Sequence, residues 1–145
     1  MPELKAVLDT TILASAFLRN VPGGVSHDLL RFAGEGAFEL YVCDDILEET
    51  ARVLLRDEKK RRRYAYSDVD VVAYCQELAL LGMIVDDLPE VHVVRDPNDD
   101  VIVACAIAAG AMYLVTRDKD LLTLDGHEGI SIVSPETFLR VLRTR

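Results

Sequence analysis

The chemistry-bearing residues of this chain are carboxylates, and their spacing sets them at the ends of short apolar runs. Asp9 closes "KAVLD" and is followed at once by Thr10 and Thr11. Asp118 lies just beyond "MYLVT", with Thr116 before it and Asp120 after it. Two strands would thus deliver an aspartate with hydroxyls to one edge, although an Asx-turn or a helix cap at a strand exit uses the same residue types. Between them, "RDPNDDVIVACAIAAG" crowds Asp96, Asp99 and Asp100 in front of an apolar run. Asp96 followed by Pro97 reads as an N-cap and first helical residue, and Asp99, two positions further on, can complete a capping box or support a site. Asp100 falls above Val103, Ala104 and Ile107, on an apolar row of a helix that is hydrophobic nearly all round. Burial and neighbouring negative charge would each raise its pKa, so to stay ionised it needs a cation or several donors. The spacing therefore assigns Asp100 to the site.

Glu49 is separated from its neighbour by helix geometry. Ile46, Leu47, Thr50, Val53 and Leu54 form one stripe, which Glu49 flanks while Glu48 points to water. Glu49 is either a boundary carboxylate packed on the core or a group reaching into a site, and spacing leaves both open. Asp9, Glu49, Asp100 and Asp118 can converge from four elements, with Asp96, Asp99 and Asp120 as secondary candidates. Four carboxylates repel, and no lysine or histidine with motif spacing accompanies these strand ends. A divalent metal is the economical counter-charge, and all-oxygen ligation suits Mg²⁺ or Mn²⁺ rather than zinc. His27, His92 and His127 form no metal-binding spacing and read as structural.

The elements that must position these acids alternate from end to end. Strands are expected at "KAVLD", "FELYVC", "VHVV", "MYLVT" and "ISIV", with helical patterns between them. The pattern predicts an α/β fold with a mostly parallel sheet of four to five strands and helices on both faces, as one domain over residues 1–145. In an open parallel sheet, ligands sit outside the carboxyl ends of the strands, where Asp9 and Asp118 fall. "DDILEETARVLLRDE" reads as a helix capped by Asp44 or Asp45. "SDVDVVAYCQELALLG" carries Ser67 as N-cap, Asp70 as its capping-box acid and Gly82 as terminator. A final helix opens with Ser134 and Pro135.

Half of the 145 residues are hydrophobic, yet no apolar stretch is long enough for a membrane span. Cys43, Cys75 and Cys105 are odd in number and lack C-x-x-C spacing, as in a reduced, cytoplasmic protein. The net charge of -9 argues against a general nucleic-acid-coating protein. Its distribution is uneven, because "RDEKKRRR", residues 56–63, holds six basic residues against two acidic ones. That run could hold a phosphate backbone or could be a solvated helix end.

These blocks together resemble the PIN domain, the nuclease fold of many VapC-like toxins of toxin-antitoxin pairs and of RNA-processing enzymes. "AVLDTTILASAF" resembles its opening block, with Asp9 as the first catalytic aspartate, and "DILEETARVL" the block that carries the glutamate, here Glu49. "DPNDDVIVACAIAAGAMYLVTRDKDLL" is similar to the third block of a toxin-like branch, and on this likeness carries Asp100 and Asp118. The family often has Asn where Thr11 stands and Ser where Cys43 stands. Thr11 retains a hydroxyl, and Cys43 leaves the helix start to Asp44 or Asp45. The resemblance implies a three-layer α/β/α sandwich, Mg²⁺- or Mn²⁺-dependent cleavage of RNA, and often a homodimer neutralised by an antitoxin. Asp9, Asp100 and Asp118 would hold the metal, with Glu49 direct or through water. Thr11, Thr116, Lys59, Lys60, Arg61, Arg62 and Arg63 are the candidate substrate contacts. Two other readings compete: a non-catalytic binding module of the same fold, and a phospho-receiver-like domain, which normally needs a lysine after a late strand where Lys119 sits only in an aspartate-rich turn.

Overall fold

The computed structural model describes residues 3–145. Strand β1 (Lys5–Leu8) shows why the core takes the shape it does: Ala6, Val7 and Leu8 are all fully buried. Successive strand residues point to opposite faces, so a strand buried at every position is covered on both sides. Strand β2 (Glu39–Val42) repeats this with Leu40, Tyr41 and Val42. Strands β3 (Met83–Ile84), β4 (Tyr113–Val115), β5 (Gly126–His127) and β6 (Ile130–Val133) complete one sheet in the order β3-β2-β1-β4-β6-β5. All pairings are parallel except β5 with β6. The α/β class and the mostly parallel sheet agree with the sequence, but the described residues form six strands, two of them only two residues long.

Eight helices occupy the rest of the described chain: α1 (Thr10–Leu18), α2 (Val25–Gly34), α3 (Asp44–Arg56), α4 (Glu58–Tyr64), α5 (Asp68–Leu81), α6 (Pro97–Ala109), α7 (Lys119–Leu124) and α8 (Pro135–Arg143). Helix α6 packs on β1, β2 and β4, and its Ile102, Val103, Cys105 and Ala106 are buried in the main core. It ends at Gly110, whose positive φ of 63° closes the last turn without a Cβ clash. A smaller cluster, Ala14, Leu54 and Val71 with Phe17, Tyr66 and Tyr74 against it, joins α1, α3 and α5.

The caps of α5, α6 and α8 follow the sequence. Ser67 and Asp70 form a reciprocal capping box, Asp96 accepts from Asn98 N at 2.9 Å, and Ser134 accepts from Thr137 N at 3.2 Å. Three expectations are corrected. Cys43 is the N-cap of α3, with Asp44 and Asp45 in its first turn, where acids favour the helix dipole without capping. The basic run forms a helix of its own, α4, capped by Asp57. "VHVV" is no strand: residues 91–94 belong to a connection, and the third strand lies earlier, at β3.

Strand order reverses beside β1. The chain runs outward from β1 through β2 to β3, then returns through α6 to place β4 on the other flank of β1. The gap above the carboxyl ends of β1 and β4 is therefore the topological switch point, where such sheets bind ligands.

Candidate active site

Asp9 and Thr116 end the two strands that flank the switch point. Thr116 is fully buried; its hydroxyl donates to Asp9 Oδ2 at 2.6 Å and accepts from Asp118 N at 3.0 Å. One hydroxyl thus ties the end of β1 to the turn after β4. Asp9 is the N-cap residue of α1, yet its side chain makes no cap bond, which leaves the carboxylate to the cleft. Asp118 caps α7 through Oδ1, which accepts from Asp120 N at 2.8 Å and Leu121 N at 3.4 Å.

These groups face a cleft of about 320 Å³ whose walls also carry Asp45, Glu48, Glu49, Arg52, Asp96, Asn98 and Asp99. Seven carboxylates and one guanidinium line it. Arg52 pairs with Glu49 across one turn of α3, so the one lining cation among the described residues is already engaged.

The structure separates the two neighbouring aspartates in a way that reverses the expectation for them. Asp100 is nearly buried, and its Oδ1 accepts from Val93 N at 2.9 Å and Val94 N at 3.0 Å. It is held by the connection before α6 and is not among the residues lining the cleft. The several donors that its position demanded are backbone amides. Asp99 turns into the cleft instead, forms no capping box, and among the described residues has no donor or cation on its carboxylate. Burial, followed by the charges of Asp118, Asp96, Asp9 and Asp120, pushes its pKa up to about 7. Asp9 is raised as well, by burial most of all, against the opposing hydrogen bond from Thr116. Two buried carboxylates that resist ionisation in one cleft lack a counter-charge.

Beside this cleft runs a second one of about 560 Å³, and the two share Thr10, Thr11 and Val53. Its charges are opposite: among the described residues Arg19, Lys59, Lys60, Arg63 and Arg117 line it against one acid, Asp57. Thr11 stands on the boundary between the two. Three other expected contacts lie outside both cleft linings. Thr116 is sealed beneath Asp9 and holds the carboxylate. Arg61 donates to Leu55 O at 3.1 Å, pairs with Asp68 and lies over the Tyr66 ring, so it docks α4. Arg62 is exposed and lines neither cleft. Sequence reading missed Arg19, Arg117 and Tyr64, all of which line the basic cleft. Arg19 and Arg117 come from separate elements, and nothing local marks them. Tyr64 closes the basic run and could have been noticed there.

The cleft chemistry fits a hard divalent cation. Its donors are carboxylate oxygens, two of them with raised pKa, and Asp99 has no other partner. Among the described residues no three acidic, histidine or cysteine side chains are disposed to hold one ion as they stand. Mg²⁺ does not require a full protein cage, because it keeps several waters and takes one or two carboxylates directly.

The chain belongs to the PIN-domain family, whose model matches residues 5–120. Solved structures agree on the fold. VapBC2 from Rickettsia felis, bound to a DNA fragment from its promoter, matches with a TM-score of 0.60 and 14% identity over 90% of this chain and 98% of that one. PAE2754 from Pyrobaculum aerophilum matches with a TM-score of 0.63 and 19% identity over 98% and 97%. No curated protein matches the chain. No helix among the described residues is long and apolar enough to cross a membrane.

Proposed function

We propose that the protein is a metal-dependent endoribonuclease, carried by a single PIN-like domain and acting as the toxin of a toxin-antitoxin pair. The observation that carries the reading is the unpartnered Asp99 carboxylate in a cleft of seven acids at the switch point. A carboxylate that opens without a donor into a cleft of like charges is a position that a cation completes, and PIN domains are in general nucleases that use divalent metals. Likeness to VapBC2 supports a cognate antitoxin as partner, and a homodimer belongs to the same reading.

Asp9, Asp99 and Asp118 would hold Mg²⁺ or Mn²⁺, with Glu49 joining directly or through water. When bound, such an ion supplies an acidified water and positive charge at the scissile phosphate. Thr116 fixes Asp9 by its hydroxyl and orients Asp118 through the backbone. Asp96 starts α6 and so aims Asp99, while Asp120 stands outside the lining and adds only field. Arg52 neutralises Glu49 and restrains its side chain against α3. The basic cleft offsets the acidic one for an approaching polyanion.

Purified protein is expected to cleave RNA with added Mg²⁺ or Mn²⁺ and to stop in excess chelator, with Asp9→Asn inactive under both conditions. Full cleavage in chelator would refute the metal mechanism. Metal binding without turnover on any RNA would instead favour the binding-module reading.

A further inference from the structure

Helix α4 divides its residues between two tasks. At about 100° per residue, Lys59, Lys60, Arg63 and Tyr64 share one arc, while Arg61 and Arg62 fall on the opposite side. The first four line the basic cleft, and Arg61 anchors the helix to Leu55, Tyr66 and Asp68. Arg19, at the end of α1, and Arg117, after β4, bring charge to the same cleft from two further elements. Arg117 is oriented by Glu136 through two bonds of 3.0 and 2.6 Å. An aromatic ring set among these cations completes the wall: Tyr64 is half-buried, with the Arg63 guanidinium 5.3 Å from its centroid.

Cations that follow a backbone together with an aromatic face are the equipment of single-strand recognition. In a duplex the base faces are stacked on one another and offer nothing to a tyrosine. We propose that this cleft holds a single-stranded stretch of polynucleotide, its phosphates on Arg19, Lys59 and Lys60 and one unpaired base stacked on Tyr64. Resting on the nuclease reading, this makes Tyr64 a positioning residue for substrate. The shared Thr10 and Thr11 then carry the strand from the basic cleft to the acidic one. The cleft chemistry reads phosphates and a base face, which RNA and DNA both offer, so the sugar is left to measurement.

The test is fluorescence anisotropy of short labelled oligouridylate, its deoxy counterpart and an RNA duplex, with the full chain in chelator so that no cleavage occurs. Single strands are expected to bind more tightly than duplex. Tyr64→Ala should weaken single-strand binding about tenfold, and Tyr64→Phe, which keeps the ring, should leave it within about twofold. Arg62→Ala, outside the cleft, should change nothing. Arg19→Ala should weaken binding about threefold at low salt, giving a second reading if Tyr64→Ala melts early. The ratio of RNA to DNA affinity assigns the sugar and supports the cleft either way. Duplex binding as tight as single-strand binding, or a folded Tyr64→Ala that binds like wild type, would overturn the proposal. Either result, alongside intact Mg²⁺-dependent cleavage, would leave the nuclease reading standing; binding without any cleavage would do the reverse.

Discussion

The two clefts share a wall and differ in every other respect. The acidic cleft draws its carboxylates from the end of β1, from α3, from the start of α6 and from the turn after β4, and hydrogen bonds hold several of them in place. Lysines and arginines line the basic cleft, most of them supplied by one short helix, with Lys60 beside Asp57 and Arg117 held by Glu136. Side chains fixed at a topological switch point with charge left uncompensated are arranged for chemistry at one atom. Flexible cations on a surface helix are arranged for a polyanion at many equivalent phosphates. Substitutions in the first cleft should therefore act on turnover in an all-or-none way, and those in the second should act on affinity by degrees.

The sharpest way to break this contrast lies within the acidic cleft, between adjacent residues. Asp99→Asn is expected to lower RNA cleavage by about 10²–10³-fold, because on the proposed mechanism it removes a carboxylate that would hold the metal. Asp100→Asn should leave the rate within about threefold while costing about 1 kcal/mol of stability, since the amide oxygen still accepts from Val93 and Val94 but without charge. Rates of the two variants in saturating Mg²⁺, with melting curves beside them, decide it. The reverse pattern would return Asp100 to the site.

A smaller effect follows from the charge that Asp99 carries without a partner. Its pKa is about 7 in the folded chain against an ordinary 3.8, so between those values the folded state holds the proton more tightly than the unfolded state. The stability this gives is fully present below about 3.8, declines as pH rises, and is gone above about 7. Asp99→Asn, neutral throughout, escapes the loss. In chelator at pH 8 it should be more stable than wild type by on the order of 1–2 kcal/mol, after allowance for solvent at the cleft mouth, and the two should converge near pH 4. Adding Mg²⁺ at pH 8 should raise the Tm of wild type more than that of Asp99→Asn. Parallel pH profiles for the two proteins would show that the cleft does not strain this carboxylate.

The same pair of aspartates shows where sequence reading stops. Asp9 and Asp118 could be placed because a strand end is a position that periodicity defines, and the parallel sheet then brings both to one rim. The caps at Ser67, Asp96 and Ser134 were legible because a cap is a contact among residues three or so apart. Asp99 and Asp100 occupy consecutive helical positions above a core that is apolar on almost every side, so the burial pattern could not choose between them. What chooses is the connection at residues 91–94. Its valines suggested a strand, but the Val93 and Val94 amides are satisfied by Asp100 rather than by a sheet neighbour. That one segment accounts both for the strand that is not there and for the placement of Asp100 away from the cleft lining. Glu49 could be placed on the flank of its helix, but not its pairing with Arg52. Arg19 and Arg117 were invisible for the opposite reason: each is alone in its segment, and only folding gathers them beside α4.

The smallest expected effect probes the basic cleft as a whole. Lys59 and Lys60 stand on its wall, Lys60 also 3.5 Å from Asp57, whereas Arg62 lies outside. If phosphates of a single strand rest on both lysines, each contact releases condensed counterions, and the logarithm of affinity falls with the logarithm of salt by about 0.7 per phosphate. The double variant Lys59→Ala/Lys60→Ala should reduce that slope by about 1.4, while Arg62→Ala leaves it unchanged. The maximal cleavage rate at saturating RNA should stay within about twofold for both variants, because neither touches the acidic cleft. An unchanged slope in the double variant would mean that the strand takes another path. A large loss of maximal rate would mean that the two clefts are not separable in the way their walls suggest, with α4 helping to place the scissile phosphate itself.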